Sequence, residues 1–521
     1  MKLVIKTLEE LIEIEGEKGA RLDDLILSAG VLLDRPCAGK GTCGKCVVKV
    51  SGEVSPPAEA ELDRLSPADL SEGYRLACRV ELTGDCEVII EEGAVFTDKS
   101  FAPKEDLGAI SEELGLAVDL GTTTVAAFIT GLESEKVYAG NAVLNKQTVH
   151  GAEVMSRLMH AHENKDDIGL LAWQSIREAV EGLGLRKEVA ARIKKCVVVC
   201  NSAMHHIALG LPVEDLMEEP FEPHTNALME AAPEKIELAV PGIESIKFAP
   251  LIGGFVGSDA LACLVYFNLG REDENAVAVD LGTNGEVILA TGGRFFAAST
   301  AAGPAFEGVN ISCGMRAIPG AATSVWWEED KGFSFKVIGD AEPCGLTGSG
   351  LLSAVRTLRE LGVIEASGRM ADPGEVEGVE IITDEEGKRV KLATDLYLSQ
   401  IDIRELQKAK SAVRAAVEVL INRAGLMPAD LRRVVLTGSF GGKLARDDVL
   451  ELGVIPPVNK NRIHSIPNGA GFGAAMFLDD RKLADSVELA DRVEHVELNF
   501  DPSFMDLYVE GMILSGEPIK I

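Results

Sequence analysis

No run of 18 apolar residues occurs anywhere in the 521-residue chain, which argues against an α-helical membrane span. The opening stretch MKLVIKTLEELIEIEGEKGA is broken by charges and lacks the apolar centre of a secretory signal. A cytoplasmic protein is therefore expected. Positive charge is short: 51 Lys and Arg stand against 83 Asp and Glu, a net charge of −32. Such a surface repels phosphate backbones and anionic headgroups, so neither nucleic acid nor a membrane is an expected partner. The same acidity serves plain solubility. Disulfide staples are not needed either, because 46% of residues are hydrophobic and the length suits three or four domains. Cytoplasmic thiols stay reduced. Of the ten cysteines, Cys86, Cys196, Cys200, Cys263, Cys313 and Cys344 are scattered among apolar or small neighbours and read as buried free thiols.

The other four form a pattern. The stretch CAGKGTCGKC puts Cys37, Cys43 and Cys46 in a C-x5-C-x2-C array without a long apolar side chain, and Cys78 follows in YRLACRV. Four thiolates suit tetrahedral zinc, but zinc ribbons use two separated C-x2-C knuckles and one such pair is present. Three close cysteines and a distant fourth are the arrangement that holds a [2Fe–2S] cluster in plant-type ferredoxins, whose first gap is four. The gap of five resembles the adrenodoxin-like branch. Glycines at 39, 41 and 44 let backbone N–H groups approach the cluster sulfurs. In the flanks, KLVIKTL and LIEIEG read as a hairpin, ARLDDLILSAGV as a helix, and CVVKVSGEV and CEVIIEEG as strands. That β-grasp order resembles ferredoxins over residues 1–92, with Cys37, Cys43, Cys46 and Cys78 as the cluster ligands. Residues 93–115 carry Pro, Gly and charges without a sustained period and read as a linker, with a short helix over LGAISEEL.

An internal repeat follows. LAVDLGTTTVAAFI starts at Leu116 and VAVDLGTNGEVILA at Val277. Each reads as a β-hairpin whose tight turn offers N–H groups and hydroxyls to phosphate oxygens, while its Asp can hold hydrated Mg²⁺. The expected phosphate contacts are Gly121, Thr122, Thr123 and Thr124, then Gly282, Thr283, Asn284 and Gly285, with Asp119 and Asp280 beside the metal. A third element, RRVVLTGSFGGKLA, is a buried strand followed by a glycine-rich turn in which Gly438, Ser439, Gly441 and Gly442 can lie flat against a nucleoside. Alone it is equally an ordinary αβ turn. In this order the trio resembles the phosphate 1, phosphate 2 and adenosine motifs of the actin, sugar-kinase and heat-shock-chaperone ATPase superfamily.

That resemblance implies small-residue helices that cross between two lobes, matched by GGFVGSDALACLVYF and PNGAGFGAAMFL. It puts Asp259 where a side chain orients the attacking water, although a carboxylate there also suits a helix N-terminus. Lys410, in SQIDIRELQKAKSAVRAAVEVLINRAG, matches a chaperone lysine that touches ribose and adenine, or else serves as an i,i+4 salt-bridge partner. The expected fold is α/β plus α+β: an N-terminal β-grasp ferredoxin-like domain, then a duplicated RNase H-like, actin-like ATPase of two lobes. Lobe I spans 116–275, lobe II 276–466, and 467–521 is a C-terminal helix returning to lobe I with a tail.

A [2Fe–2S] domain joined to such an ATPase resembles the reductive activators of corrinoid proteins. The stretches that carry the likeness include NSAMHHIALGLP and STAAGPAFEG besides those quoted above. The resemblance implies hydrolysis of ATP, with Mg²⁺, to drive an electron from the cluster to a cobalt(II) corrinoid protein. The partners it implies are a corrinoid protein of a methyltransferase system and a low-potential electron donor, and it allows a homodimer. Members often carry an extra segment between the two domains, which the short linker replaces here. Two other functions stay open: a ferredoxin-fused small-molecule kinase, which lacks a sugar-kinase signature in this sequence, and an ATP-dependent activator of another low-potential enzyme.

Overall fold

The computed structural model describes residues 1–6, 11–29, 41, 46–62, 64–90, 100–101, 106–236, 240–270, 274–308, 310–384, 387–438 and 444–518. The chain forms two compact units, Met1–Ala94 with Lys146–His160, and Val95–Asn145 with Ala161–Ile521.

The first unit is built on five strands: β1 (Lys2–Lys6), β2 (Leu11–Glu15), β3 (Val47–Val54), β4 (Tyr74–Leu76) and β5 (Leu82–Ile89). They lie in the order β2-β1-β5-β3-β4, with β1 and β5 parallel and the other pairs antiparallel. Period-two alternation decides the buried face, so Leu82 and Val88 on β5 point inward with Leu3 and Ile5 on β1. The helix Leu22–Ser28 adds Leu22 and Ile26 to that core. This is the expected β-grasp order. The short β4 was not expected as a strand. It is fixed by a buried ion pair in which Arg75 Nε and Nη2 each donate to Glu61 at 2.8 Å, while Leu76 N–H donates to the same carboxylate.

The second unit contains two six-stranded sheets of matching plan. The first uses β6 (Leu114–Leu120), β7 (Thr124–Gly131), β8 (Val137–Leu144), β9 (Ile193–Cys200), β10 (Met229–Ala231) and β11 (Ser245–Phe248), in the order β10-β11-β9-β6-β7-β8. The second begins with β12 (Ala276–Leu281), β13 (Gly285–Thr291) and β14 (Arg294–Thr300). Two small sheets follow, one of β15 (Ala321–Glu328), β16 (Gly332–Val337) and β17 (Gly345–Leu346), the other of β18 (Ile381–Asp384), β19 (Gly387–Ala393) and β20 (Leu396–Ser399). The chain then returns through β21 (Arg433–Thr437), β22 (Ile463–Ser465) and β23 (Val493–His495) to complete the order β22-β21-β12-β13-β14-β23. In both large sheets a central strand pairs antiparallel with its hairpin partner and parallel with a later strand: β6 with β7 and β9, β12 with β13 and β21. Both central strands are almost wholly buried, as expected of apolar runs covered on two faces.

Two helices of small residues meet between the sheets. The helix Ser258–Tyr266 and the helix Gly469–Met476 approach so closely that a Cβ on Gly473 would lie 2.2 Å from the Ala262 carbonyl oxygen. Gly471 packs the second helix onto Phe128 of β7 in the same way. The rest of 467–521, expected as a tail, forms further elements. β23 joins the second sheet beside β14, and the helix Phe504–Gly511 packs on the long helix Gln400–Ala424. No helix forms over LGAISEEL either. Asp106 Oδ1 accepts from Gly108 N–H, a side chain taking up a local donor as turns do, while the Glu112 carboxylate accepts from Glu133 and Ser134 N–H, far along the chain. β6 already starts at Leu114. Among the described residues no helix is long and apolar enough to cross a membrane.

Candidate functional site

The repeat hairpins converge on one cleft in the second unit. Asp119 and Asp280 are the last residues but one of β6 and β12, each just before its turn. Gly121, Thr122, Thr123 and Thr124 of the first turn and Gly282, Thr283 and Asn284 of the second line the cleft, with Gly285 opening β13 beside them. Buttresses hold the first turn in shape. Asn145 donates from its backbone to Thr123 O at 2.8 Å and from its side chain to Gly121 O at 2.9 Å. Asn201 caps the helix Ser202–Leu209 by accepting from Met204 N–H, and its amide donates to Thr122 Oγ1 at 2.9 Å.

Gly438 reaches the cleft at the end of β21. Its φ is +94°, and a Cβ there would lie 2.1 Å from Asp280 Oδ1, so glycine alone fits. Ser439, Gly441 and Gly442, the remainder of that expected motif, lie outside the described residues. Asn468 and Gly469, at the start of the second small-residue helix, close the same side, with Gly469 N–H donating to Thr437 Oγ1 at 3.0 Å.

Five carboxylates line this cleft: Asp119, Asp259, Asp280, Glu286 and Glu307. No lysine or arginine is among the described residues that do so. Burial pushes the Asp259 carboxyl up to about 7, and the neighbouring Asp280 and Asp119 add to the rise, although Ala260 N–H donates to it at 2.9 Å and opposes. Asp259 thus both occupies the first turn of its helix and faces the cleft. Burial and the same neighbours push Glu286 well above the usual carboxylate range. The Cys263 thiol, raised by burial and by these acids, donates to Asp280 Oδ2 at 3.7 Å. Such a charge set calls for a cation or for protons, and an oxygen-rich donor set of this kind suits a hard divalent ion.

Glu286, Glu307, Asn201 and Asn468 were not singled out in the sequence. Glu286 was legible: it stands directly across the ladder from Asp280. Glu307 arrives on the 3₁₀ turn Pro304–Glu307 that follows β14, and spacing alone does not reveal it.

Lys410 is not at this site. Its side chain is 1% exposed, and its ammonium donates to Gly453 O at 3.3 Å and to Ile513 O. Neither a nucleoside contact nor a surface salt bridge describes it. The 3.6-residue period sets Lys410 in the buried stripe with Leu406, Val413 and Val417, under the C-terminal segment.

In the first unit, Cys46 and Cys78 meet at 3.3 Å between sulfurs, both 2% exposed. The β3–β4 ladder brings them together: Val47 pairs with Leu76, and Ala77 N–H donates to Cys46 O. Two buried thiols that converge from distant parts of the chain fit a shared cluster. Cys37 and Cys43 lie outside the described residues.

The chain matches the models of known families along most of its length. A model for the "2Fe-2S iron-sulfur cluster binding domain" matches residues 6–83, one for the "RACo middle region" matches 114–272, and one for the "C-terminal domain of RACo the ASKHA domain" matches 274–520. Among similar proteins is the corrinoid activation enzyme RamQ of Eubacterium limosum, 27% identical over 602 aligned positions that cover all of both chains. Another is the [Co(II) methylated amine-specific corrinoid protein] reductase of Methanosarcina barkeri, 25% identical with 76% of each chain covered. A solved structure titled "Reductive activator for corrinoid, iron-sulfur protein" shares the fold at a TM-score of 0.70, with 24% identity over 98% of each chain.

Proposed function

The chain belongs to the family of reductive activators of corrinoid proteins, and from that premise we propose that it hydrolyses ATP to drive an electron from a [2Fe–2S] cluster to an inactive cobalt(II) corrinoid protein, returning it to cobalt(I) for methyl transfer. One observation carries the reading: a single chain holds both a pair of converging buried thiols and a two-hairpin cleft lined by carboxylates.

Cys37, Cys43, Cys46 and Cys78 hold the cluster, which supplies the electron when bound. In the cleft, the backbone N–H groups and hydroxyls of 121–124 and 282–285 take the phosphates. Asp119 and Asp280 hold hydrated Mg²⁺, which offsets the cleft's negative charge. Asp259 orients the attacking water from the start of its helix. Gly438, with Ser439, Gly441 and Gly442, gives the nucleoside a flat wall. A low-potential donor recharges the cluster, and the cytoplasm keeps the thiols reduced.

The test mixes reduced protein with a cobalt(II) corrinoid protein from the same host, without oxygen, and follows the visible spectrum. Cobalt(I) should accumulate with Mg-ATP and not with a non-hydrolysable analogue. Asp280→Asn should stop both hydrolysis and cobalt reduction while leaving the iron–sulfur absorption in place. Equal cobalt(I) without nucleotide would refute the coupling.

A further inference from the structure

The roles proposed above leave two carboxylates of the cleft, Glu286 and Glu307, without a task, and Glu307 is the one bonded to both turns. Glu307 is 8% exposed. Its Oε2 accepts from Thr123 Oγ1 at 2.9 Å, its Oε1 accepts from Thr283 Oγ1 at 2.9 Å, and the two hydroxyl oxygens are themselves 2.9 Å apart. Thr123 belongs to the turn of the first hairpin and Thr283 to the turn of the second, 160 residues away. One carboxylate therefore accepts a hydrogen bond from a hydroxyl in each half of the duplicated fold.

A terminal phosphate clamped between these turns would need the same two donors. Each hydroxyl has one proton, so Thr123 and Thr283 cannot donate to Glu307 and to a phosphate oxygen together. Two like charges at one spot also repel, most strongly where burial thins the solvent. A diphosphate, one group shorter, has no oxygen at that position to compete. The carboxylate and the last phosphate of a triphosphate are thus rivals for one seat.

We propose that Glu307 is a specificity-determining residue of the nucleotide cleft: it holds Thr123 and Thr283 as a placeholder for the terminal phosphate, so that a triphosphate must displace it and a diphosphate need not. This rests on the reading of the cleft as an ATP site. Displacement frees one hydroxyl in each hairpin at the same moment, which makes the two halves respond to the terminal phosphate as a unit. The state with Glu307 seated is the state with diphosphate or with no nucleotide.

The experiment measures the affinity of a non-hydrolysable Mg-ATP analogue and of Mg-ADP for the full chain and for Glu307→Gln. The amide keeps the shape and one acceptor oxygen and removes the charge. The variant should bind the triphosphate analogue about tenfold more tightly, the scale of one charge-assisted hydrogen bond no longer contested, and ADP within about twofold of the parent. Glu307→Asp keeps the charge but cannot span both hydroxyls, so its preference should fall between the two; it also serves if the Gln variant melts early. A purely structural tie predicts something else, namely that both nucleotides weaken by the same factor as stability falls. That outcome, or an unchanged ratio of the two affinities, would overturn the placeholder. If the parent chain bound neither nucleotide, the ATP reading itself would fall, and this inference with it.

Discussion

Replacing Lys410 with methionine separates a nucleotide contact from a buried brace. Burial, with the Arg414 guanidinium adding to it, lowers the Lys410 ammonium from 10.5 to about 7. A base whose folded value is depressed binds its proton less well in the folded chain than in the unfolded one. Between pH 7 and 10.5 the unfolded state therefore carries the extra proton, and stability rises with pH across that window. Below pH 7 both states are protonated and the whole penalty of burying the charge is felt. A difference of three to four pH units corresponds to about 5 kcal/mol as an upper bound. Against it stand the bonds to Gly453 O and Ile513 O, worth about 1–3 kcal/mol each to leave unmade. Lys410→Met should therefore be close to neutral near pH 6 and destabilising near pH 10, and the upward slope of melting temperature between pH 7 and 10 should be lost. ATP affinity should stay within about twofold. The assay is a thermal scan over pH with calorimetric titration of nucleotide. If ATP affinity dropped tenfold or more, the scale of a lost charged hydrogen bond, while the slope with pH survived, the placement of Lys410 away from the cleft would be wrong.

Other outcomes follow from the two sites and from the helix crossing. Cys78→Ser should strip the visible iron–sulfur absorption and lower iron below two atoms per chain, while ATP hydrolysis continues; one zinc per chain and no iron in the parent would sink the cluster assignment. Gly473→Val places a branched side chain against Ala262, whose carbonyl oxygen would be 2.2 Å from the new Cβ, so it should cost about 1–3 kcal/mol or more by overpacking and slow ATP turnover. An unchanged melting temperature and unchanged turnover would show that the two helices need not touch this closely.

What was legible in the sequence is what is local or repeated. The Asp-Leu-Gly-Thr hairpins announce themselves because the turn, its aspartate and both strands are contiguous, and the repeat at 116 and 277 predicts two sheets of one plan. The long helix is marked at both ends, by the Ser399–Asp402 capping box and by Gly425 in the left-handed conformation. The cross-strand position of Glu286 was equally readable, since a hairpin that pairs Leu281 with Gly285 also pairs Asp280 with Glu286. Lys410 went astray for a different reason. Motif likeness fixed its helix, and its neighbours Leu406, Val413 and Val417 put it in the apolar stripe, yet a lysine is expected at the surface. Only the carbonyls of Gly453 and Ile513, both far along the chain, show what satisfies it. β4 was missed because three residues are too few for a period, and its anchor is a Glu61–Arg75 pair 14 residues apart.

The duplication is not symmetric, and the asymmetry is chemical. Thr122 and Thr283 hold equivalent places in the two repeats, third after the aspartate, but they have opposite partners. Thr122 Oγ1 accepts from the neutral Asn201 amide, whereas Thr283 Oγ1 donates to the Glu307 carboxylate. Across the ladders, Asp119 faces Ala126 while Asp280 faces Glu286. The Cys263 thiol also turns toward Asp280. The first hairpin is braced by the neutral Asn145 and Asn201, while its Thr123 hydroxyl donates to the Glu307 carboxylate that it shares with the second. The second hairpin is bonded to one carboxylate and lies beside another. Anything anionic that enters must rearrange charge there, and anything cationic is drawn there. A nucleotide with its metal that displaces Glu307 therefore frees a hydroxyl in both turns but rearranges more charge at the second, beside Asp280 and Glu286. Sheet two carries that second hairpin together with β21, Gly438 and the strand β23 of the C-terminal segment, so the electrostatic change is delivered to the half of the duplicated fold that has the most chain attached to it.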